Sequence, residues 1–155
     1  MTIITKKGNL LDAKGIIVHG CNCQGVMGSG VALAIKNKWP DVYQQYRDSY
    51  ELKSPLMNLG QIIPVVVAPD TYVLNAITQK NYGRDGARYV SYDAVTSCFE
   101  KVRGWAEHFR QAESRNVSVN FPLLGAGLGG GDWEIISKII DRTLGDDIEK
   151  ILWVQ

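Results

Sequence analysis

Short apolar runs and helical apolar faces alternate along this chain. Ile3-Ile4 reads as a strand, with Gly8-Asn9 as its turn. The β-branched run at residues 16–19, bounded by glycine, predicts a buried strand. Val31, Ala34 and Ile35 recur at helical spacing and predict a helix from Gly30 to about Asn37. Trp39-Pro40-Asp41 breaks it, because the residue before proline avoids the helical region, and a second helix follows over residues 42–52. Residues 61–67 and 72–77 read as strands joined by the turn Ala68-Pro69-Asp70-Thr71. A polar loop over residues 78–86 leads to a long helix whose apolar face is Ala94, Val95, Cys98, Phe99, Val102, Ala106 and Phe109. A strand at residues 117–121 follows. Asp132 is placed to N-cap a helix that buries Ile136, Ile139, Ile140 and Leu144, and residues 151–154 form a last strand. Strands and helices in alternation, with short connections and no internal repeat or linker, predict an α/β fold with one sheet between helices.

Two of the strand-to-helix junctions are rich in glycine. The first carries His19, Asn22 and Gln24 on a polar loop, then Gly28-Ser29-Gly30 at the helix start. The second is Gly125-Ala126-Gly127-Leu128-Gly129-Gly130-Gly131. At such a junction unpaired backbone N–H groups and the positive end of the helix dipole converge on an anion. Two junctions of this kind suggest backbone closing on one ligand from both sides, which suits a diphosphate. The dinucleotide fingerprint fits poorly, since its third position is Leu33 and no acidic ribose ligand follows a second strand. Neither loop ends in the Gly-Lys-Ser or Gly-Lys-Thr of a P-loop.

At 155 residues the chain is expected to be one domain, and its 45% apolar and 21% charged content is ordinary for a globular protein. Lys+Arg 17 against Asp+Glu 16 gives a net charge of +1, which gives no support for an electrostatic nucleic-acid surface. One modified nucleotide needs a pocket rather than a field. Cys21, Cys23 and Cys98 are sparse and odd in number, which fits a reducing compartment. Cys21-Asn22-Cys23 beside His19 invites a zinc reading, but the other histidine, His108, lies in a long helical pattern without a second cysteine pair. Thiols filling space near a tight loop are the better account, and no metal is expected. The N-terminal residues lack the apolar core of a signal peptide and no run reaches spanning length, so the expectation is a cytoplasmic protein with no membrane partner.

The two glycine loops, in this order, resemble those of the macro domain, an ADP-ribose-binding fold. The resemblance covers nearly the whole chain: the first loop from Val18 to Ala32, the second from Gly125 to Trp133, and Gly8-Asn9-Leu10 where the family often has Gly-Asp-Ile. It implies a single three-layer α/β/α domain with a central mixed sheet over residues 1–155. Within the family the chain is similar to a branch with three members. These are the yeast-type ADP-ribose 1''-phosphate phosphatase, a terminal ADP-ribose hydrolase of glutamate, and an antitoxin that strips ADP-ribose from thymidine in DNA. His19, Cys21, Asn22 and Cys23 are closest to the phosphatase, while Val26-Met27-Gly28 and Lys80 are closer to the antitoxin.

The resemblance implies roles residue by residue. Asn9, with Leu10 beside it, stands for the adenine-recognising Asp, its carbonyl accepting from the adenine amino group. Ser29, Gly30 and Val31, after Gly28, offer N–H groups to one phosphate. Gly127, Leu128 and Gly129, with Gly125 and Ala126 before them, serve the other phosphate and the distal ribose. Asn22, with Gln24 nearby, bonds the distal ribose hydroxyls. Trp153 either stacks on adenine or is a core residue. His19 attacks phosphorus or protonates the leaving oxygen, or is a satisfied buried histidine. Lys80 acts at the distal ribose, or is a solvated loop lysine. Tyr82 and Arg84 are candidate loop contacts, Arg84 for a terminal phosphate. The glutamate-directed relative uses an Asp where this chain has Gly129, which weakens a lysine–aspartate mechanism. The expected activity is cofactor-free hydrolysis, foremost of ADP-ribose 1''-phosphate. Alternatives are release of ADP-ribose from modified protein or nucleic acid, or binding without turnover.

Overall fold

The structure, a computed structural model, describes residues 2–155. Its strands are β1 Ile4–Lys7, β2 Gly15–Asn22, β3 Ile62–Ala68, β4 Thr71–Gln79, β5 Val119–Phe121 and β6 Lys150–Val154. The helices are α1 Gly30–Lys38, α2 Pro40–Glu51, α3 Tyr92–Ala112 and α4 Trp133–Leu144. The six strands form one sheet in the order β1-β6-β5-β2-β4-β3. Every neighbouring pair is parallel except β3 with β4. The sheet is therefore mixed, as expected. Parallel neighbours need crossovers, and the helices supply them on both faces.

Burial follows the pleat. Ile16 and Val18 of β2 join Val95, Phe99, Ile136 and Ile140 of α3 and α4 on one face. Ile17, between them, packs with Ile35 of α1 and Val42 of α2 on the other. The result is the three-layer α/β/α arrangement that the alternating pattern predicts.

Element ends shift where local chemistry competes with hydrophobic pattern. β2 continues past His19 to Asn22 because its ladder with β4 continues, through an irregularity between Cys21 and Asn22. β4 correspondingly runs to Gln79, so Thr78 and Gln79 are strand rather than loop. α2 begins at Pro40, whose fixed φ suits a first helical position. β1 and β5 are displaced or shortened relative to the apolar runs, and two 3-10 turns, Leu10–Asp12 and Pro55–Met57, add to the expected elements. Asp132 caps α4 as predicted, Oδ1 accepting from Glu134 N at 2.8 Å.

One buried charge ties the last strand to the last helix. Lys150 at the start of β6 is 1% exposed, with Nζ 3.0 Å from Asp141 Oδ1 and donating to the Gly145 carbonyl. Asp141 also accepts from Thr2 N and Oγ1 at 3.1 and 3.0 Å. Burial raises the Asp141 carboxyl, yet the Thr2 and Lys150 donors outweigh it and hold the group below its ordinary range. Asp141→Ala leaves an uncompensated buried ammonium and should cost about 3 kcal/mol in urea unfolding. Lys150→Met, which removes the charge as well, should cost clearly less.

Candidate functional site

β2, β4 and β5 run in the same direction, so their C-terminal ends open on one edge of the sheet. There they meet a cavity of about 810 Å³. Its wall is built from the end of β2 (His19 to Asn22), the segment from Val26 to Ala32, Gln79 with Tyr82, Gly83 and Arg84, and residues 122–125 and 127–129. Crevices at the carboxyl ends of strands are where open α/β sheets take ligands.

α1 enters this cavity with its first amides uncapped. Ser29 is extended and makes no capping hydrogen bond with its side chain. In contrast, α3 and α4 are capped by Ser91 and Asp132. Free N–H groups at a helix start form an anion site.

The second loop separates glycines required by packing from one that is not. A Cβ at Gly129 would stand 2.7 Å from Gly125 O, one at Gly130 2.4 Å from Ala87 O, and one at Gly131 2.5 Å from the Val90 side chain. Gly125 has a φ of 78° and would meet Val90 at 2.9 Å. At Gly127, with no positive φ, a Cβ meets nothing within 4 Å. Gly127 lines the cavity, and the space beside it is open. Tyr89 N and Val90 N both donate to Gly129 O, at 2.7 and 3.0 Å, which joins the 80–90 segment to this loop.

Asn22 ends β2 at the cavity wall, 8% exposed. Its Oδ1 accepts from Tyr46 Oη at 2.8 Å, Gln24 N at 2.9 Å and Val26 N at 3.4 Å, while Nδ2 donates to Val26 O at 3.0 Å. His19 lies on the same strand, 1% exposed, opposite Asn75 in the β2–β4 register. Its Nε2 donates to Asn75 Oδ1, and Asn75 Nδ2 donates to Ile63 O at 3.1 Å. Cys21 Sγ lies 3.8 Å from His19 Nδ1. Burial lowers the His19 pKa to about 4, against a partial rise from Asn75. Both cysteines near the site are held above their ordinary values by burial, Cys21 far above and Cys23 with a partial offset from Lys80. Neither is a ready thiolate.

The structure brings together His19, Asn22, Gly28, Ser29, Gly30, Val31, Gly125, Gly127, Leu128, Gly129, Tyr82 and Arg84 around one cavity. Others fall outside its wall. Gln24 Nε2 instead donates to Lys80 O and Asn81 Oδ1, at 3.1 and 3.2 Å, tying the two loops. Lys80 is exposed and sits between Gln79 and Tyr82, both in the wall. Ala126 N is spent on Leu123 O. Asn9 is exposed and caps the first 3-10 turn, Oδ1 accepting from Leu11 N at 2.9 Å, while Leu10 is buried. Trp153 is half-buried, Nε1 donating to Asn120 Oδ1 at 2.8 Å and the Lys6 ammonium 4.8 Å from its ring centre. His19 lines the cavity with Nε2 donating to Asn75 Oδ1, Cys21 Sγ lies 3.6 and 3.8 Å from its two ring nitrogens, and burial favours the neutral ring, which is the arrangement of a satisfied buried histidine. Sequence reasoning did not single out Gln79, Tyr46 or Asn75. Gln79 was hidden by ending β4 too early, the other two because a buried polar partner has no sequence signal.

Among the described residues no group of three His, Cys, Asp or Glu side chains is placed to hold a metal ion, and no helix is long and apolar enough to cross a membrane.

Comparison with known proteins gives a consistent result. The sequence profile named Macro domain matches residues 18–140. A DNA ADP-ribosyl glycohydrolase of Thermus aquaticus is 30% identical over 142 residues, covering 89% of this chain and 36% of that protein. An ADP-ribose 1''-phosphate phosphatase of Meyerozyma guilliermondii is 25% identical over 166 residues, covering 88% of this chain and 90% of the relative. The chain thus spans about a third of the first and nearly all of the second. Among solved structures, a protein of unknown function from Bacteroides thetaiotaomicron superposes with a TM-score of 0.86 at 32% identity, covering 99% of this chain and 98% of that one.

The buried His19 also sets a pH dependence of folding. Its folded pKa of about 4 lies below the unfolded value near 6.5, so the unfolded chain binds the proton more readily. Stability from this group is complete above pH 6.5 and lost as pH falls toward 4, by about 3 kcal/mol. Denaturant unfolding from pH 7 to 4 should show that loss, and His19→Gln should flatten it.

Proposed function

This chain belongs to the Macro domain family, and from that membership we propose that its cavity binds ADP-ribose and that the protein hydrolyses a substituent from the distal ribose. The observation that carries the reading is Gly127. It lines the cavity, yet nothing in the protein occupies the space its missing side chain leaves. One phosphate sits against the N–H groups of Ser29, Gly30 and Val31, the other against Gly127, Leu128 and Gly129, with Asn22 turned to the distal ribose. Asn9, which has given one lone pair to Leu11 N, keeps a second for the adenine amino group. Trp153, fixed by Asn120 and Lys6, supports that end of the fold rather than stacking on the base.

Two features favour release of ADP-ribose from a modified macromolecule over the phosphatase. His19 is neutral and committed to Asn75, whereas Lys80 stands at the rim beside the expected distal ribose. The Thermus relative at 30% identity is named a DNA ADP-ribosyl glycohydrolase. In this reaction the bond from the distal ribose C1'' to its substituent breaks, water supplies the new hydroxyl, and Lys80 assists at that carbon. One observation supports the phosphatase as a second reading: Arg84 lines the cavity without an ion-pair partner among the described residues, as a terminal phosphate would require.

Gly127→Val should cut ADP-ribose affinity by about tenfold or more in calorimetry, since displaced N–H bonds to a charged phosphate are worth about 1.5–3 kcal/mol. The melting temperature should stay unchanged, and undiminished affinity would remove the shared-cavity reading. Lys80→Ala should lower turnover of an ADP-ribosylated thymidine oligonucleotide by about a hundredfold with ADP-ribose affinity retained. Turnover of ADP-ribose 1''-phosphate alone would move the assignment to the phosphatase. No turnover on either would make the protein a binder.

A further inference from the structure

Tyr46 is a fully buried residue of α2 that does not line the cavity. It packs among Cys21, Met27, Met57, Ile63 and Ile77, an apolar surrounding in which a phenol hydroxyl must find a partner. The partners it finds are both oxygens of Asn22: the main-chain carbonyl at 2.6 Å and Oδ1 at 2.8 Å. Its single proton is shared between them. Burial raises the Tyr46 pKa far above the ordinary phenol value, so the group remains a donor.

The consequence falls on the Asn22 amide. Three donors converge on Oδ1: the Tyr46 hydroxyl and the N–H groups of Gln24 and Val26. Rotating the amide by half a turn would set Nδ2 protons against all three. One Nδ2 proton is already given to Val26 O. The second Nδ2 proton is then what the Asn22 side chain has left to give, and Asn22 lines the cavity. From this geometry we propose that Tyr46 is a positioning residue. It holds Asn22 so that the cavity is offered an N–H donor rather than a carbonyl, which selects for a hydroxyl oxygen of the distal ribose. Donation into Oδ1 also polarises the amide and strengthens the outward N–H. This inference rests on the ADP-ribose reading of the site.

ADP, which lacks the distal ribose, separates this role from general support of the fold. Tyr46→Phe keeps the ring and removes the hydroxyl. It should weaken ADP-ribose about tenfold by calorimetry and leave ADP within about twofold. Asn22→Ala should lose the same discrimination, and adding Tyr46→Phe to it should change nothing further. Equal weakening of both ligands, no weakening of either, or an additive loss in the double variant would overturn the proposal. In the unaltered protein, only one of the two Asn22 side-chain amide proton resonances should move strongly on adding ADP-ribose. Equal movement of both would overturn it without any variant. Failure of the unaltered protein to bind ADP-ribose more tightly than ADP would instead remove the site reading itself, and this proposal with it.

Discussion

Parallel pairing of β2 with β4 on one side and β5 on the other is the constraint from which the site follows. Strands that run the same way finish on the same edge, and each must leave the sheet there before its crossover. The two glycine loops and the 80–90 segment are those departures, gathered onto one edge although a hundred residues separate the first from the last. Had β2 and β5 been antiparallel, the two loops would lie at opposite ends of the sheet. The antiparallel β3 sits at the far edge of the sheet, where it closes the layer without disturbing this convergence.

The same pairing explains why polar residues are buried at the end of β2. Continuing the ladder to Asn22 draws His19, Cys21 and Asn22 out of solvent, and each polar group must then find a partner inside the protein. Asn75 arrives from the neighbouring strand, in register with His19, and Tyr46 arrives from the helix above. These buried polar contacts sit directly behind the cavity wall. Their shared effect is to fix the orientation of groups that a ligand would meet, so stability and recognition draw on the same hydrogen bonds.

What was legible in the sequence was what periodicity and backbone chemistry encode. The apolar spacing of Ala94 to Phe109 placed α3, Asp132 placed the start of α4, and the two glycine runs marked loops that the fold brings together. Strand ends were less legible, because Cys21, Asn22, Thr78 and Gln79 look like loop residues until a partner strand extends the ladder through them. His19 showed the limit most clearly. Its residue type suggests chemistry at neutral pH, but only the three-dimensional neighbourhood reveals that Asn75 occupies the ring and burial keeps it neutral. The glycines, too, looked equivalent in the sequence. In the second loop packing makes four of the five obligatory for the fold, while Gly127 has open space beside it at the cavity wall.

The two amides of Tyr89 and Val90 that share the Gly129 carbonyl have a broader consequence. They anchor the 80–90 segment at its far end, while Gln24 grips it at Lys80 and Asn81 near its start. The residues between, Tyr82 to Ala87, form an arch fastened at both feet, whose Tyr82, Gly83 and Arg84 line the cavity and whose Asp85 accepts from the Tyr89 hydroxyl at the far foot. Such an arch can exchange its crown without disturbing the amides beneath it. The shape and charge of this side of the cavity, set by Tyr82 and Arg84, are thereby mechanically separate from the backbone amides of the glycine loop, so one can change while the other stays fixed.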